Sequence, residues 1–154
     1  MNRMKISSIL GQRLQDEGLN VEQVLRRSGL PVKLFSKPPV LLTTEQLFSL
    51  WSSIEKESES ADIGLKIGAN TKPERYDPVS ISALCSRSFR EAINKVARFK
   101  KLTCPEEVFI SESENEISVR YEWYLTKDSE PPLLIDAAFS SLVTLGRLGT
   151  KKIL

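Results

Sequence analysis

Cys85, Cys104 and the 20 acidic side chains are the residues of this chain whose types could support covalent or metal chemistry. Their spacing argues against both. The two cysteines stand far apart, without the short spacing of a structural zinc site. There is no histidine. That removes Ser-His-Asp and Cys-His nucleophilic machinery, His-ligated zinc and His-ligated haem together. The seven glycines are scattered as helix stops and form no phosphate-cradling loop. No Asp or Glu pair is spaced for acid–base work. The chain reads as a non-enzyme with no cofactor and no metal. Cys85 follows Leu84 on an apolar face and reads as a packed small hydrophobe.

The elements that must position any site are mostly helical. Ile6, Ile9, Leu10 and Leu14 recur at helical spacing, and Gly18 ends that helix. Leu30 to Leu42 reads as a loop, since Pro31, Pro38 and Pro39 forbid regular structure. Thr43 with Gln46 forms a capping box before the stripe Leu47, Leu50, Trp51 and Ile54. A shorter helix carries Ile63 and Ile67 before Gly68. After the polar stretch Ala69 to Asp77, Asp77-Pro78 opens a helix as cap and first-turn proline. Ser88 and Glu91 form the strongest capping box. Their helix turns Ala92, Ile93, Val96, Ala97 and Phe99 inward and leaves Arg90, Lys95, Lys100 and Lys101 wet.

The period then changes to two. Ile117, Val119, Tyr121 and Trp123 alternate with polar residues as a half-buried strand, and Val108 and Ile110 belong to its antiparallel partner. Trp123 should therefore lie mostly buried. Leu134 to Gly149 forms a last amphipathic helix. The expected class is α+β, five or six helices in one layer against a small antiparallel sheet.

With 154 residues the chain has the size of one ordinary domain, able to bury about two-thirds of its unfolded surface. Charged residues at 27% and hydrophobic ones at 40% are globular values. Its 22 basic and 20 acidic residues leave a net charge of +2, too balanced for a protein held to DNA by phosphate contacts. No apolar run approaches the roughly 20 residues of a membrane span. The N-terminus has no signal-peptide core, so the expected compartment is the cytoplasm, with reduced cysteines.

Gly18 to Pro31, GLNVEQVLRRSGLP, has the outline of a DNA-reading helix-turn-helix. Asn20 can cap its first helix and Gly29 can stop it. The second segment, Val32 to Phe35, meets Pro38-Pro39 too soon for a recognition helix. Leu25 is also large where the helices would have to cross closely. We reject the DNA-reading version.

In order, the segments ILGQRLQDEGL, VEQVLRRSGL, TTEQLFSLWSSIEKES, ADIGLKIGA, ISALCSRSFREAINKVARFKKL, a strand pair and DAAFSSLVTLGRLG run from Ile6 to Gly149. This series resembles the N-terminal, arabinose-binding-like effector domain of AraC/XylS-type transcription regulators, most closely over Arg90 to Leu102. The resemblance implies that residues 1–154 form a single effector-binding and dimerisation domain. It further implies that the C-terminal half with two helix-turn-helix units is missing, so the chain ends early and Lys151 to Leu154 opens a further strand. The implied partners are a small-molecule effector and a second copy in a homodimer, with neither nucleic acid nor membrane contacted directly. "Arabinose" need not be the ligand, since no polar cluster suited to a sugar is visible.

A receptor with apolar lining needs a few inward polar groups to orient its ligand. The candidates are Tyr76 in the mid-chain loop, Arg98 on the Ser88 helix, and Tyr121 and Trp123 on the alternating strand. Each also has an ordinary structural role: loop anchor for Tyr76, surface or salt-bridged cation for Arg98, core aromatic for the other two. Two rival functions remain. One is a self-contained DNA-binding protein using Asn20 to Phe35; the other is a helical interaction module with no ligand.

The chain by itself is expected not to select a DNA sequence. Fluorescence anisotropy against duplex DNA at moderate salt checks this; selective binding lost on Arg26→Ala with Arg27→Ala would reverse it.

Overall fold

Four helix starts are held by side-chain oxygens. Asn20 Oδ1 accepts from the Gln23 N–H at 3.1 Å and opens α2 (Val21–Arg27), following α1 (Ile9–Asp16). Thr43 Oγ1 accepts from Gln46 N–H at 3.2 Å, and Gln46 Oε1 accepts from Thr43 N–H at 3.0 Å, closing a reciprocal box on α3 (Thr44–Glu57). After α4 (Ile63–Ala69), Asp77 Oδ1 accepts from Ser80 N–H at 2.7 Å and starts α5 (Pro78–Leu84). Ser88 Oγ accepts from Glu91 N–H at 3.1 Å at the start of α6 (Phe89–Thr103). Here the expected box is only half made, because the Glu91 carboxylate accepts from Arg87 N–H instead, at 3.0 Å.

The computed structural model describes residues 3–70 and 72–151. Within them the fold is α+β, with seven α-helices and two antiparallel sheets of two strands each. The expected five or six helices become seven. The first sheet departs from expectation. Strand β1 (Met4–Ile6) pairs with β2 (Val40–Leu42), Met4 opposite Leu42 and Ile6 opposite Val40. Ile6 is thus a strand residue where its spacing suggests the opening of a helix, and Val40 to Leu42 is strand where the prolines suggest loop. Three-residue strands alternate over too short a distance to display a period of two, and Ile6 also fits the helical spacing that follows it. Burial of Met4, Val40 and Leu42 to within 2% of full exclusion makes this strand pair a wall of the core.

The second sheet is the expected hairpin, β3 (Glu106–Glu112) and β4 (Ile117–Trp123), with Val108 opposite Tyr121 and Ile110 opposite Val119. The last helix, α7 (Pro132–Thr150), ends at Lys151 in the left-handed region, φ 56°. Of the strand expected from Lys151 onward, residues 152–154 lie outside the described residues. The expectation that no apolar segment nears the length of a membrane span also needs correction. Helix α7, with 19 residues and a mean hydropathy of 1.2, reaches it by length and composition, because its scattered serines and threonines lower the hydropathy little.

Part of that apolar surface is spent inside the protein. Leu133 and Ala137 of α7 join a core cluster with Leu14, Leu25, Leu50, Ile54, Ile63 and Ile67 from the first four helices. The approach of α4 to α7 is close because Gly64 and Gly68 stand one turn apart on the facing side. A Cβ on Gly64 would lie 2.7 Å from the Leu133 carbonyl oxygen, and one on Gly68 would strike the Ala137 carbonyl. Ser140 Oγ donates to the Leu65 carbonyl at 2.7 Å and Ser141 Oγ to the Gly68 carbonyl at 3.1 Å, so hydrogen bonds fill the seam.

Gly68→Ala should therefore destabilise the fold by roughly 1–3 kcal/mol through overpacking against backbone that cannot rotate away. Urea denaturation followed by circular dichroism measures it. An unchanged midpoint would mean that α7 can stand further from α4 at no cost.

Candidate functional site

Residues opposite one another in an antiparallel pair point to the same face. One face of the hairpin therefore carries Glu106, Val108 and Ile110 with Trp123, Tyr121 and Val119. Helices α6 and α7 cover this face unevenly. At the turn end they leave a groove of about 560 Å³ walled by Ile93 of α6, Val119 of β4, and Phe139, Leu142 and Val143 of α7. The size is that of a small-molecule site. Its mouth is formed by Arg90 and the turn residues Ser113 to Glu116. Arg90 Nε lies 2.9 Å from Glu112 Oε1, tying the start of α6 to the end of β3.

The other end of the same face is polar. Glu106 is 1% exposed, and its Oε2 receives a hydrogen bond of 2.6 Å from the Lys100 ammonium. Burial is the strongest single influence and works against the Lys100 charge, but the Glu106 carboxylate, with smaller help from its other neighbours, holds the lysine pKa above its ordinary value. The expected place of Lys100 on the wet side of α6 is corrected by this pair. A helical stripe cannot show that a carboxylate waits six residues on, across the α6–β3 junction. Lys100 Nζ also stands 5.9 Å from the centre of the Tyr121 ring. Burial raises the pKa of the Tyr121 phenol, and Lys100 partly opposes the rise.

Tyr121 meets Phe139 edge to face, ring centres 5.1 Å apart, and so stands directly behind a groove wall. Trp123 lies further along, edge to face with Phe48 at 5.3 Å and packed against the core cluster. It is mostly buried, as expected, with part of its surface still open. Its indole nitrogen is fully enclosed and makes no hydrogen bond of good geometry among the described residues. Glu130 is the carboxyl that interacts with it. Burial raises the Glu130 pKa, and the indole N–H partly offsets that rise.

The structure thus gathers Tyr121 and Trp123 on one face and leaves the other two candidates elsewhere. Arg98 is exposed on α6 and makes no ion pair among the described residues. Tyr76 is half-buried in the loop after a 3-10 turn at Pro73–Arg75, which Arg75 ties to Asp16 by a 2.7 Å ion pair. Neither lines the groove. Two smaller expectations need correction. Cys85 is exposed at the end of α5, a helix of seven residues too short for its pattern to define one inward face. Phe99 is 40% exposed, because α6 buries fully only Ala92 and Ile93.

The groove walls escape sequence reasoning for a physical reason. Ile93, Val119 and Phe139 all carry a core-facing pattern, and an apolar side chain that lines a cavity has the same periodicity as one that fills it. Arg90 with its partner Glu112 carries no signal either, as the pairing is made only by the fold.

Comparison with known families gives one match. Residues 18–152 fit the model described as the arabinose-binding domain of AraC transcription regulator, N-terminal. No curated protein matches the chain.

The buried Glu106 and the half-buried Glu130 should respond oppositely to neutralisation. Glu106→Gln strands the Lys100 charge and should cost about 1–3 kcal/mol, less than a fully buried pair because the Lys100 side chain is 33% exposed. The Glu130 pKa is raised above the ordinary carboxyl value, so its contribution is fully present below that value and is lost as pH rises through the folded pKa. Glu130→Gln should then raise the melting temperature at neutral pH and leave it little changed in mild acid. Thermal melts across that range check both signs, and a Glu130→Gln protein that melts lower at neutral pH would contradict the second.

Proposed function

The chain belongs to the family of N-terminal arabinose-binding domains of AraC transcription regulators, and from that premise we propose that it senses a small-molecule effector in the groove between α6, the β3–β4 turn and α7. The observation that carries the reading is the groove itself, about 560 Å³ of space with apolar walls from three elements and polar groups confined to its mouth. A sugar would be a poor occupant. Its hydroxyls would lose water against Ile93, Val119, Leu142 and Val143 without gaining hydrogen bonds, at roughly 1–3 kcal/mol for each group left unpaired. The ligand is a largely apolar molecule with one polar end.

Helix α7 gives such binding a route outward. Phe139, Leu142 and Val143 wall the groove, while Leu133 and Ala137 of the same helix sit in the core against α4. A ligand wedged against the first set shifts the population of α7 positions available to the second. A C-terminal DNA-binding half, following α7 in the chain, would feel that shift, with a second copy of the domain in a homodimer doubling the readout. Tyr121 acts as a positioning residue behind Phe139. Trp123, Tyr76 and Arg98 stand outside the ligand shell in this reading.

The test is to fill the groove. Val119→Trp and, separately, Val143→Trp place an indole in the cavity from opposite walls. Apolar small molecules that raise the wild-type melting temperature should lose at least ten-fold in affinity by calorimetry in both variants, each first shown by circular dichroism to be folded. Unaltered affinity in the two folded variants would remove the groove as the site.

A further inference from the structure

The mouth of the groove carries an unbalanced charge. Arg90 is the cation among its lining residues, and its guanidinium is already engaged by Glu112 at 2.9 Å. The positive start of α6 is answered by the Glu91 carboxylate, which accepts from Arg87 N–H and lies within 3.3 Å of Lys95 Nζ and 3.7 Å of Arg87 Nε. Glu114 and Glu116, on the turn that rims the opening, make no ion pair among the described residues. Among the residues that line the groove, one cation thus stands against two carboxylates, beside apolar and partly aromatic surface from Phe89 and Phe139.

We infer that the effector is a lipophilic cation, an amine or quaternary ammonium on an apolar body, with its charge held at the mouth by Glu114 and Glu116. This rests on the groove being the effector site. The apolar body replaces water against Ile93, Val119, Leu142 and Val143, where burial of each methylene is favourable by the hydrophobic effect. The charged end stays at the rim, hydrated and beside two carboxylates, so no charge is buried without a partner. A cation close to the Phe139 or Phe89 ring gains further from the ring quadrupole. An anion has no such place. Arg90 could offer it the N–H groups that Glu112 leaves free, but its charge is already balanced by Glu112, and the anion would also face Glu114 and Glu116. Both glutamates are exposed, so the preference is moderate and falls as salt screens it.

Three probes with one body separate charge from shape: 4-phenylbutylamine, 4-phenylbutanol and 4-phenylbutyrate. Each is titrated into the chain at low and at high salt and followed by ligand-observed NMR, with the Glu114→Gln, Glu116→Gln double variant and Val119→Trp in parallel. The amine should bind about 3–10-fold more tightly than the alcohol, with the acid weakest. The order should collapse in the double glutamine variant and shrink at high salt. Amine and alcohol binding equally, or the acid binding best, with all loss of affinity confined to Val119→Trp, would overturn the cation and leave the groove standing. No binding of any probe, or binding that survives Val119→Trp unchanged, would overturn both readings.

Discussion

Helix α7 can stand where it does because α4 offers it backbone instead of side chains. Gly64 and Gly68 let the carbonyls of Leu133 and Ala137 come within the space a methyl group would need. Two serine hydroxyls of α7 then reach carbonyls of α4 that the close approach would otherwise desolvate. This contact decides more than the local packing. It presses the N-terminal part of α7 into the core formed by the first four helices, and so fixes where the rest of that helix runs. Phe139, Leu142 and Val143 face the hairpin from the position the glycines permit.

The hairpin is anchored at its opposite end by a different force. Glu106 is nearly devoid of water, and such a carboxylate is tolerable only beside a cation with good geometry. Lys100 supplies it from the last turn of α6, where a positive charge is also favoured by the helix dipole. The pair locks the α6–β3 junction. Above it the hairpin passes from charge, through the Tyr121–Phe139 contact, to open apolar surface near its turn. One face of one hairpin thus grades from a clamp to a cavity.

Much of this frame is legible in the amino-acid sequence. Thr43 with Gln46, Asp77 with Pro78, and Ser88 announce their helices because capping is local chemistry, decided within four residues. The inward face of β4 follows from the alternation of Ile117, Val119, Tyr121 and Trp123, and the partner strand from Val108 and Ile110. Whatever depends on distant pairing stays hidden. Met4 to Ile6 and Val40 to Leu42 form a strand pair only because they meet across two helices. Lys100 has the pattern of a solvated lysine, and only β3 brings Glu106 beneath it. Cys85 escapes because a two-turn helix leaves its inward face undetermined by pattern. The cavity is the hardest feature to read, since a void has no residue of its own.

The residues that wall the groove are absent from the cluster that holds the molecule together. Ile93, Val119, Phe139, Leu142 and Val143 stand apart from the packed set of Leu14, Leu25, Leu50, Ile54 and their neighbours. Ile93 and Leu142 are themselves buried, so truncating either would cost folding as well, whereas Val119, Phe139 and Val143 are only partly buried. A groove walled in this way can change its shape at Val119, Phe139 and Val143 while the core cluster stays as it is. If the groove holds a ligand, as proposed, its selectivity could change at those partly buried positions without a change of fold.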